Sequence, residues 1–574
     1  MAEVTVRVAG ANGDGIESTG EMLARIMMRA GLYVFAYRSY QSIIRGGHVW
    51  YQIRASNKEV HSFGDKADIL LAINQDAITH QLSHIKDNAL IIYDGKKINV
   101  DNLKGSSYKL VDVPMLDIAI KNGGDPILRN AVGIGAVLKI TGISLDIFNA
   151  YVKEKFGRKG NDVVNNNINC ASEGAALAEQ VFTIESPNVK SYLINGNEAL
   201  AMGAYAANCR FYAAYPMTPA TSILQWFASH ADHKIVVKQT EDELAAINTT
   251  IGAAVTGVRA MCGTSGGGFS LMVEALGFAS MIEAPIVVAE SDRTGPSTGL
   301  PTKTEQADLL FLMHASQGEA PRIVVAPRSV EECFEIGKEA FNLADRYQCP
   351  VLVMLDLYLS EQLKGVAKPN LEAEIDRGKI AKEPTGEKFK RYMFTDDGVS
   401  PRSLPGTAGL EYVAGSDEHD EYGWLVSDYY AGIDKYVDIR KRMHEKRMKK
   451  IETMIANEKG KFVPKIEKEG DFYIVTFGST SEPAREACEI LKAQGLNVGL
   501  ITFNYIMPMD KQETIRLLKD KKLINVEYNY TNQLAYVIRA NTGISIDHSV
   551  NKYDGEAITA EEISSKVAEI IKRW

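Results

Sequence analysis

Short apolar stretches separated by helical periodicities recur along almost the whole chain, and that alternation leaves little choice of architecture. Segments rich in Val, Ile, Leu and Tyr occupy 4–10, 48–54, 68–73, 89–94 and 108–113; helical patterns cover 18–30 and most of 128–182. Strands interleaved with helices of this length are joined by crossovers, which makes parallel, helix-covered sheets and an α/β fold. At 574 residues the chain is too long for one core and predicts three or four domains.

The first unit is expected over 1–185. A second, from 190 to 365, carries strand candidates at 234–238, 285–290, 322–326 and 350–355, continuously apolar as strands covered on both faces are. Residues 366–465 break the rhythm with Pro, Gly and charge, including the acidic run 416–423 and a basic helical segment at 440–450. A solvated helix face is the simplest expectation for that basic run, with Met448, Ile451 and Ile455 turned inward at helical spacing. The last unit, 470–574, alternates again, with strands FYIVTF, NVGLITF and LINVEYN and helices over 480–494 and 559–572.

Composition narrows the function. With 45% hydrophobic and 24% charged residues the chain reads as soluble and globular. A net charge of -9 disfavours nucleic acid and suits a cytoplasmic enzyme of small anions. Its first residues read as a strand rather than a cleavable leader, and no run of about 18 apolar residues suggests a membrane span. The cysteines, at 170, 209, 262, 333, 349 and 488, lie at least 16 residues apart. Iron–sulfur and structural zinc sites use clustered spacings, so no metal is expected in this chain and its thiols are expected to be buried and inert.

Two glycine-rich segments could admit a phosphate. Gly10, Gly13 and Gly15 lie between the first strand and the first helix, although GxxGxG is not the dinucleotide fingerprint. Arg45-Gly46-Gly47 places a cation beside two glycines just before a strand. A plain turn explains either segment equally well.

The most informative local sequence is Tyr215-Pro216-Met217-Thr218-Pro219-Ala220-Thr221. Its prolines fix φ and remove two donors, so the loop is stiff and presents the Thr218 hydroxyl in a defined direction. Alone, it could be a reacting centre or only a rigid strand-to-helix turn. Glu241-Asp242-Glu243, Thr264-Ser265-Gly266-Gly267-Gly268 and the segment from Arg293 to Thr302, RTGPSTGLPT, follow it. In that order the four segments resemble the alpha subunit of 2-oxoacid:ferredoxin oxidoreductases, and the region before 185 resembles the gamma subunit fused in front. The resemblance spans essentially the whole chain and is nearest the two-subunit 2-oxoglutarate type. Met217 departs from it, standing where the family often has Ile.

This resemblance implies a multidomain α/β protein. A gamma-type domain would occupy 1–185, a pyrimidine-type thiamine-diphosphate-binding domain 190–365, a connecting segment 366–465 and a transketolase C-terminal-like domain 470–574. It implies oxidative decarboxylation of a 2-oxoacid, with coenzyme A and ferredoxin, to an acyl-CoA: 2-oxoglutarate to succinyl-CoA, or CO2 fixation in reverse. Thr218 would sit by the thiazolium and the substrate, Arg293 would clamp the substrate carboxylate and Thr302 would stand nearby. Tyr215, Pro216, Thr264 and Ser265 would contact the cofactor. A glutamate would bond the aminopyrimidine N1′; Glu243 is preferred over Glu241 because related enzymes carry a small residue nine positions on, here Gly252, leaving Glu241 to cap the helix. Arg293 also suits its role on chemistry alone, since a planar guanidinium binds a carboxylate bidentately. Gly13-Asp14-Gly15 mimics the start of the magnesium–diphosphate motif, but 37–46 lacks the required Asn, so Asp14 is read as a turn or capping residue. Magnesium and a [4Fe-4S] cluster are therefore expected in a beta subunit, within a dimer of heterodimers. Arg45, Gly46 and Gly47 are the candidate coenzyme A contact. A pyruvate- or indolepyruvate-specific member, a non-redox transketolase-like subunit and a non-enzymatic assembly subunit remain open as alternatives.

Overall fold

A computed structural model describes residues 2–39, 41, 46–231, 234–384, 386–429 and 435–574. Three sheets organise it. The first runs, edge to edge, Lys109–Asp112, Ile85–Tyr93, Ala67–Ala72, Glu3–Ala11, His48–Ser56, Tyr33–Ser39, Leu363–Val366 and Tyr192–Ile194. Its first four strands are parallel and the rest antiparallel. The last two come from either end of the second unit. They cover the edge that Tyr33–Ser39 would otherwise leave open for pairing with another chain, and they lock the two units together.

The second sheet runs Tyr505–Met507, Ile323–Val325, Val351–Asp356, Ile286–Asp292, Arg259–Thr264, Cys209–Ala214 and Val236–Gln239. All are parallel except Tyr505–Met507, which the last unit lends. Sequence reading named no strand at Cys209–Ala214 or Arg259–Thr264: RFYAA and RAMCGT lack a β-branched run. Their small buried residues suit strands covered closely by helices, a preference set by packing rather than by intrinsic propensity. The third sheet, Lys465–Lys468, Val498–Phe503, Phe472–Phe477, Leu523–Glu527 and His548–Asn551, contains the three strands expected in the last unit.

The basic helix corrects an expectation. In Lys435–Asn457 the charged residues Lys446, Arg447 and Lys450 are buried, while Met448, Ile451 and Ile455 are half-buried. Lys446 and Lys450 donate to opposite oxygens of buried Glu283 (2.5 and 2.7 Å), and Arg447 forks onto Glu418. Burial alone would raise the Glu283 pKa; the two ammonium groups and Arg391 instead hold it well below the usual range. With two lysines sharing one carboxylate, burial pushes Lys446 down to about 8. A run of lysines cannot reveal an acid waiting 167 residues away.

Candidate functional site

Four neighbouring strands, Ile286–Asp292, Arg259–Thr264, Cys209–Ala214 and Val236–Gln239, are parallel and end at one edge of the second sheet. The four sequence motifs continue from those four ends. In parallel α/β sheets, ligands sit outside the carboxyl ends of the strands.

Side chains tie the motifs to one another. Arg293 Nη1 donates to the Thr218 carbonyl at 2.8 Å. Thr264 Oγ1 lies 3.8 Å from Met217 Sδ. Asn197, fully buried, steadies the loop from behind: its Nδ2 donates to the Pro219 carbonyl (2.9 Å) and to Ser222 Oγ (2.8 Å). Pro216 is half-buried and Tyr215 exposed. The Arg293 loop doubles back, with Leu300 N donating to Thr294 O (2.9 Å) and Thr294 N to Lys303 O (3.1 Å). Its tip, 295–300, is exposed and Thr302 is half-buried on the return arm.

Glu243 opens the helix Glu243–Val255, whose N-cap is Asp242, accepting from Ala245 N at 2.7 Å. Asp242 is thus the cap, and Glu241, expected to cap the helix or meet its dipole, is exposed just before it. Glu243 is 3% exposed, and its Oε1 has no hydrogen-bond partner among the described residues. The fully buried Ser265 Oγ is likewise unpartnered. A Cβ on Gly268 would stand 2.4 Å from Glu243 Oε1 and 2.1 Å from Thr264 Oγ1, so the glycine makes room for the carboxylate. Gly252 faces open space, and nothing among the described residues explains its missing side chain. Unsatisfied buried acceptors are costly and call for a partner from outside the chain. The set suits an aminopyrimidine nitrogen: one buried carboxylate oxygen without a partner, with Gly268 making room for it.

In the first unit, Asp14 accepts from Ala11 N (3.1 Å), Asn74 Nδ2 (3.2 Å) and Arg129 (2.9 Å), making it a turn residue. Asn12 N donates to Gly47 O (3.0 Å) and Gly46 N to Asn12 O (3.1 Å), so the two glycine-rich segments lie side by side. Arg45 falls outside the described residues. A cavity of about 370 Å³ beside Asn12, Gly13 and Gly15 shares Glu17, Glu21, Arg38 and Tyr51 with one of about 410 Å³ that reaches Thr218 and Pro219. A crevice therefore leads from the glycine loop of the first unit to the stiff loop of the second. Half-buried Glu361, pushed up by desolvation against the pull of Arg38, lines its far wall.

Sequence reading missed Asn197, and it missed an acid group of buried Glu290 and Asp292 with half-buried Asp308 next to Arg293. Burial first, then the neighbouring carboxylates, raises Glu290 and Asp292 well above the usual range, and burial lifts Asp308 to about 6. Two acids at alternate positions ending the apolar strand Ile286–Asp292 were the available signal.

No helix among the described residues is long and apolar enough to cross a membrane. Residues 202–438 match the family "Pyruvate flavodoxin/ferredoxin oxidoreductase, thiamine diP-bdg". Residues 5–177 match "Pyruvate ferredoxin/flavodoxin oxidoreductase", and 470–563 "Pyruvate:ferredoxin oxidoreductase core domain II". A 2-oxoacid:ferredoxin oxidoreductase subunit alpha from Sulfolobus is 31% identical over 98% of this chain and 96% of its own length. The 2-oxoglutarate oxidoreductase subunit KorA of Mycobacterium tuberculosis is 28% identical over 98% of this chain and 91% of its own. The 2-oxoglutarate:ferredoxin oxidoreductase of Magnetococcus marinus, solved with 2-oxoglutarate, coenzyme A and succinyl-CoA bound, superposes with a TM-score of 0.91 at 32% identity over the full length of both chains. With its strand-end motifs, its thiamine-diphosphate-binding segment and relatives matched along its whole length, the chain belongs to the alpha-subunit family of 2-oxoacid:ferredoxin oxidoreductases.

Proposed function

We propose that the chain grips the oxoacid and activates the cofactor in a 2-oxoglutarate:ferredoxin oxidoreductase, yielding succinyl-CoA, CO2 and reduced ferredoxin. The substrate reading follows the full-length likeness to the Magnetococcus marinus protein and its bound ligands. The observation that carries the catalytic reading is the buried, unpartnered Glu243 Oε1 behind Gly268. Thiamine diphosphate, when bound, supplies the carbon nucleophile for the keto group and holds the electrons left by decarboxylation. Glu243 holds a proton at the pyrimidine nitrogen, the role of a general acid–base in a site closed to water. Arg293 pairs with the oxoacid carboxylate, and the stiff Thr218 loop, braced by Asn197, orients the keto group. Tyr215, Pro216, Thr264 and Ser265 line the cofactor, and Thr302 stands on the loop that covers the substrate.

The crevice between the glycine loop and Thr218 gives coenzyme A a route to the acyl group, with Gly46 and Gly47 at its outer end beside Asn12. In this reading 1–185 is the gamma-type unit, 190–365 the pyrimidine unit, 366–465 the connector and 470–574 the transketolase C-terminal-like unit. A cytoplasmic beta subunit carries the diphosphate–Mg2+ motif and the [4Fe-4S] cluster, in a dimer of heterodimers.

The test compares Glu243→Gln with Glu241→Gln in the complex purified with its partner, by 2-oxoglutarate-dependent viologen reduction. Glu243→Gln is expected to lower kcat at least about 100-fold, the usual contribution of a positioned acid–base group. Glu241→Gln is expected to match the wild type. The reverse pattern would sink the assignment.

A further inference from the structure

Buried acids in this chain are met by cations or dipoles. Glu283 has Lys446 and Lys450, Asp345 has Arg259, Arg377 and Arg402, and Glu527 has two asparagine amides and two backbone N–H groups. Besides Glu243, a second group among the described residues lacks such partners. Glu290 and Asp292, both fully buried, point to the same face of their strand, and with Asp308 each offers an oxygen within 4.8 Å of the others. Both oxygens of Glu290 and Oδ1 of Asp292 have no hydrogen-bond partner among the described residues. The remaining Asp292 oxygen accepts from Asp308 N at 2.9 Å, and the Asp308 carboxyl lies within hydrogen-bonding reach of Asp292. Buried carboxylates are paired or coordinate metals; left alone, each costs several kcal/mol.

We infer that Glu290, Asp292 and Asp308 form a binding site for a hard divalent cation such as Ca2+. All the candidate donors are oxygens, the preference of Ca2+ and Mg2+ rather than of softer metals. Mg2+ usually keeps several waters and takes one or two carboxylates, whereas Ca2+ accepts a cage of protein oxygens. Three carboxylates whose oxygens lie within 4.8 Å of one another, two of them fully buried, suit Ca2+. Gly266 packs against the group, since a Cβ there would meet Asp308 Oδ2 at 2.1 Å.

The position gives the ion a task. Asp292 immediately precedes Arg293, and Asp308 is the N-cap of the helix Leu309–His314. A cation held by both clamps the two ends of 293–307, the segment that carries Arg293 and Thr302. It also braces the start of the helix Gly266–Met281, against which Asp308 packs. Asp292 and Asp308 are thus positioning residues for the oxoacid loop. The cation site stands on the orphaned oxygens and does not depend on the thiamine reading.

The experiment uses the complex with its partner subunit, stripped with chelator and returned to buffer containing excess Mg2+, so that the partner's own requirement is met. Calcium is then added, bound metal is counted by plasma mass spectrometry, and thermal unfolding and steady-state kinetics are followed. One Ca2+ per chain, a Tm raised by about 5 °C at saturation and a lower KM for the oxoacid are expected. Glu290→Gln and Asp292→Asn should each lose the ion, with KM rising about tenfold and kcat changing far less. The inference is overturned if the wild-type complex retains no Ca2+ and its Tm ignores it, or if Glu290→Gln raises Tm, as for acids that merely share protons. If the variants fail to fold, the wild-type calcium titration decides alone.

Discussion

Replacing Gly268 with alanine tests whether the site is built around the Glu243 carboxylate. The added Cβ would sit 2.4 Å from Glu243 Oε1 and 2.1 Å from Thr264 Oγ1, at least 1.0 Å inside the 3.4 Å at which ordinary contact begins. Neither neighbour can retreat into solvent, since Glu243 is 3% and Thr264 0% exposed. Overpacking of this kind costs about 1–3 kcal/mol, offset in part by up to about 1 kcal/mol for a better helix former. Moving the carboxylate by about 1 Å should lower turnover roughly 100-fold. Gly267 is the control. It is exposed, and its nearest neighbour to an added Cβ is Ser297 O at 3.9 Å, so Gly267→Ala should hold or raise stability. Thermal unfolding and viologen reduction of both complexes separate the cases. Equal activity in the two variants would show that Gly268 makes no room for a working carboxylate.

Arg293→Lys keeps the charge but loses the planar fork, and KM for the oxoacid should rise about 10-fold, with Arg293→Ala worse, as read by steady-state kinetics. Glu283→Gln leaves two buried ammonium groups without a carboxylate and should cost about 3–5 kcal/mol in urea unfolding, whereas the triple change Glu283→Met, Lys446→Met, Lys450→Met should recover most of it. Asp356 is buried, and desolvation outweighs its bonds from Ser479, Leu359 and Gln306, raising its pKa from 3.8 to about 6. The folded state then binds that proton more tightly than the unfolded chain. Its contribution, about 3 kcal/mol, is complete below pH 4 and is lost as pH rises through 6. Unfolding between pH 4 and 7 should show this slope in the wild type and not in Asp356→Asn.

Sequence alone determined the alternation of strands and helices, and with it the parallel strands at the centre of the second sheet, but not the antiparallel half of the first. It also picked out the stiff Tyr215–Thr221 loop, because turn chemistry is written within a few residues, and the other three strand-end segments through their resemblance to the family. The tertiary structure decided what distant partners decide. It buried Glu243 and exposed Glu241, though both lie in one three-residue run. It gave the edge of the first sheet to strands from the second unit, and it turned the basic helix inward onto Glu283. It also brought Asp308 to Glu290 and Asp292. Burial and charge pairing depend on contacts across tens to hundreds of residues, and these exist only once the layers have packed.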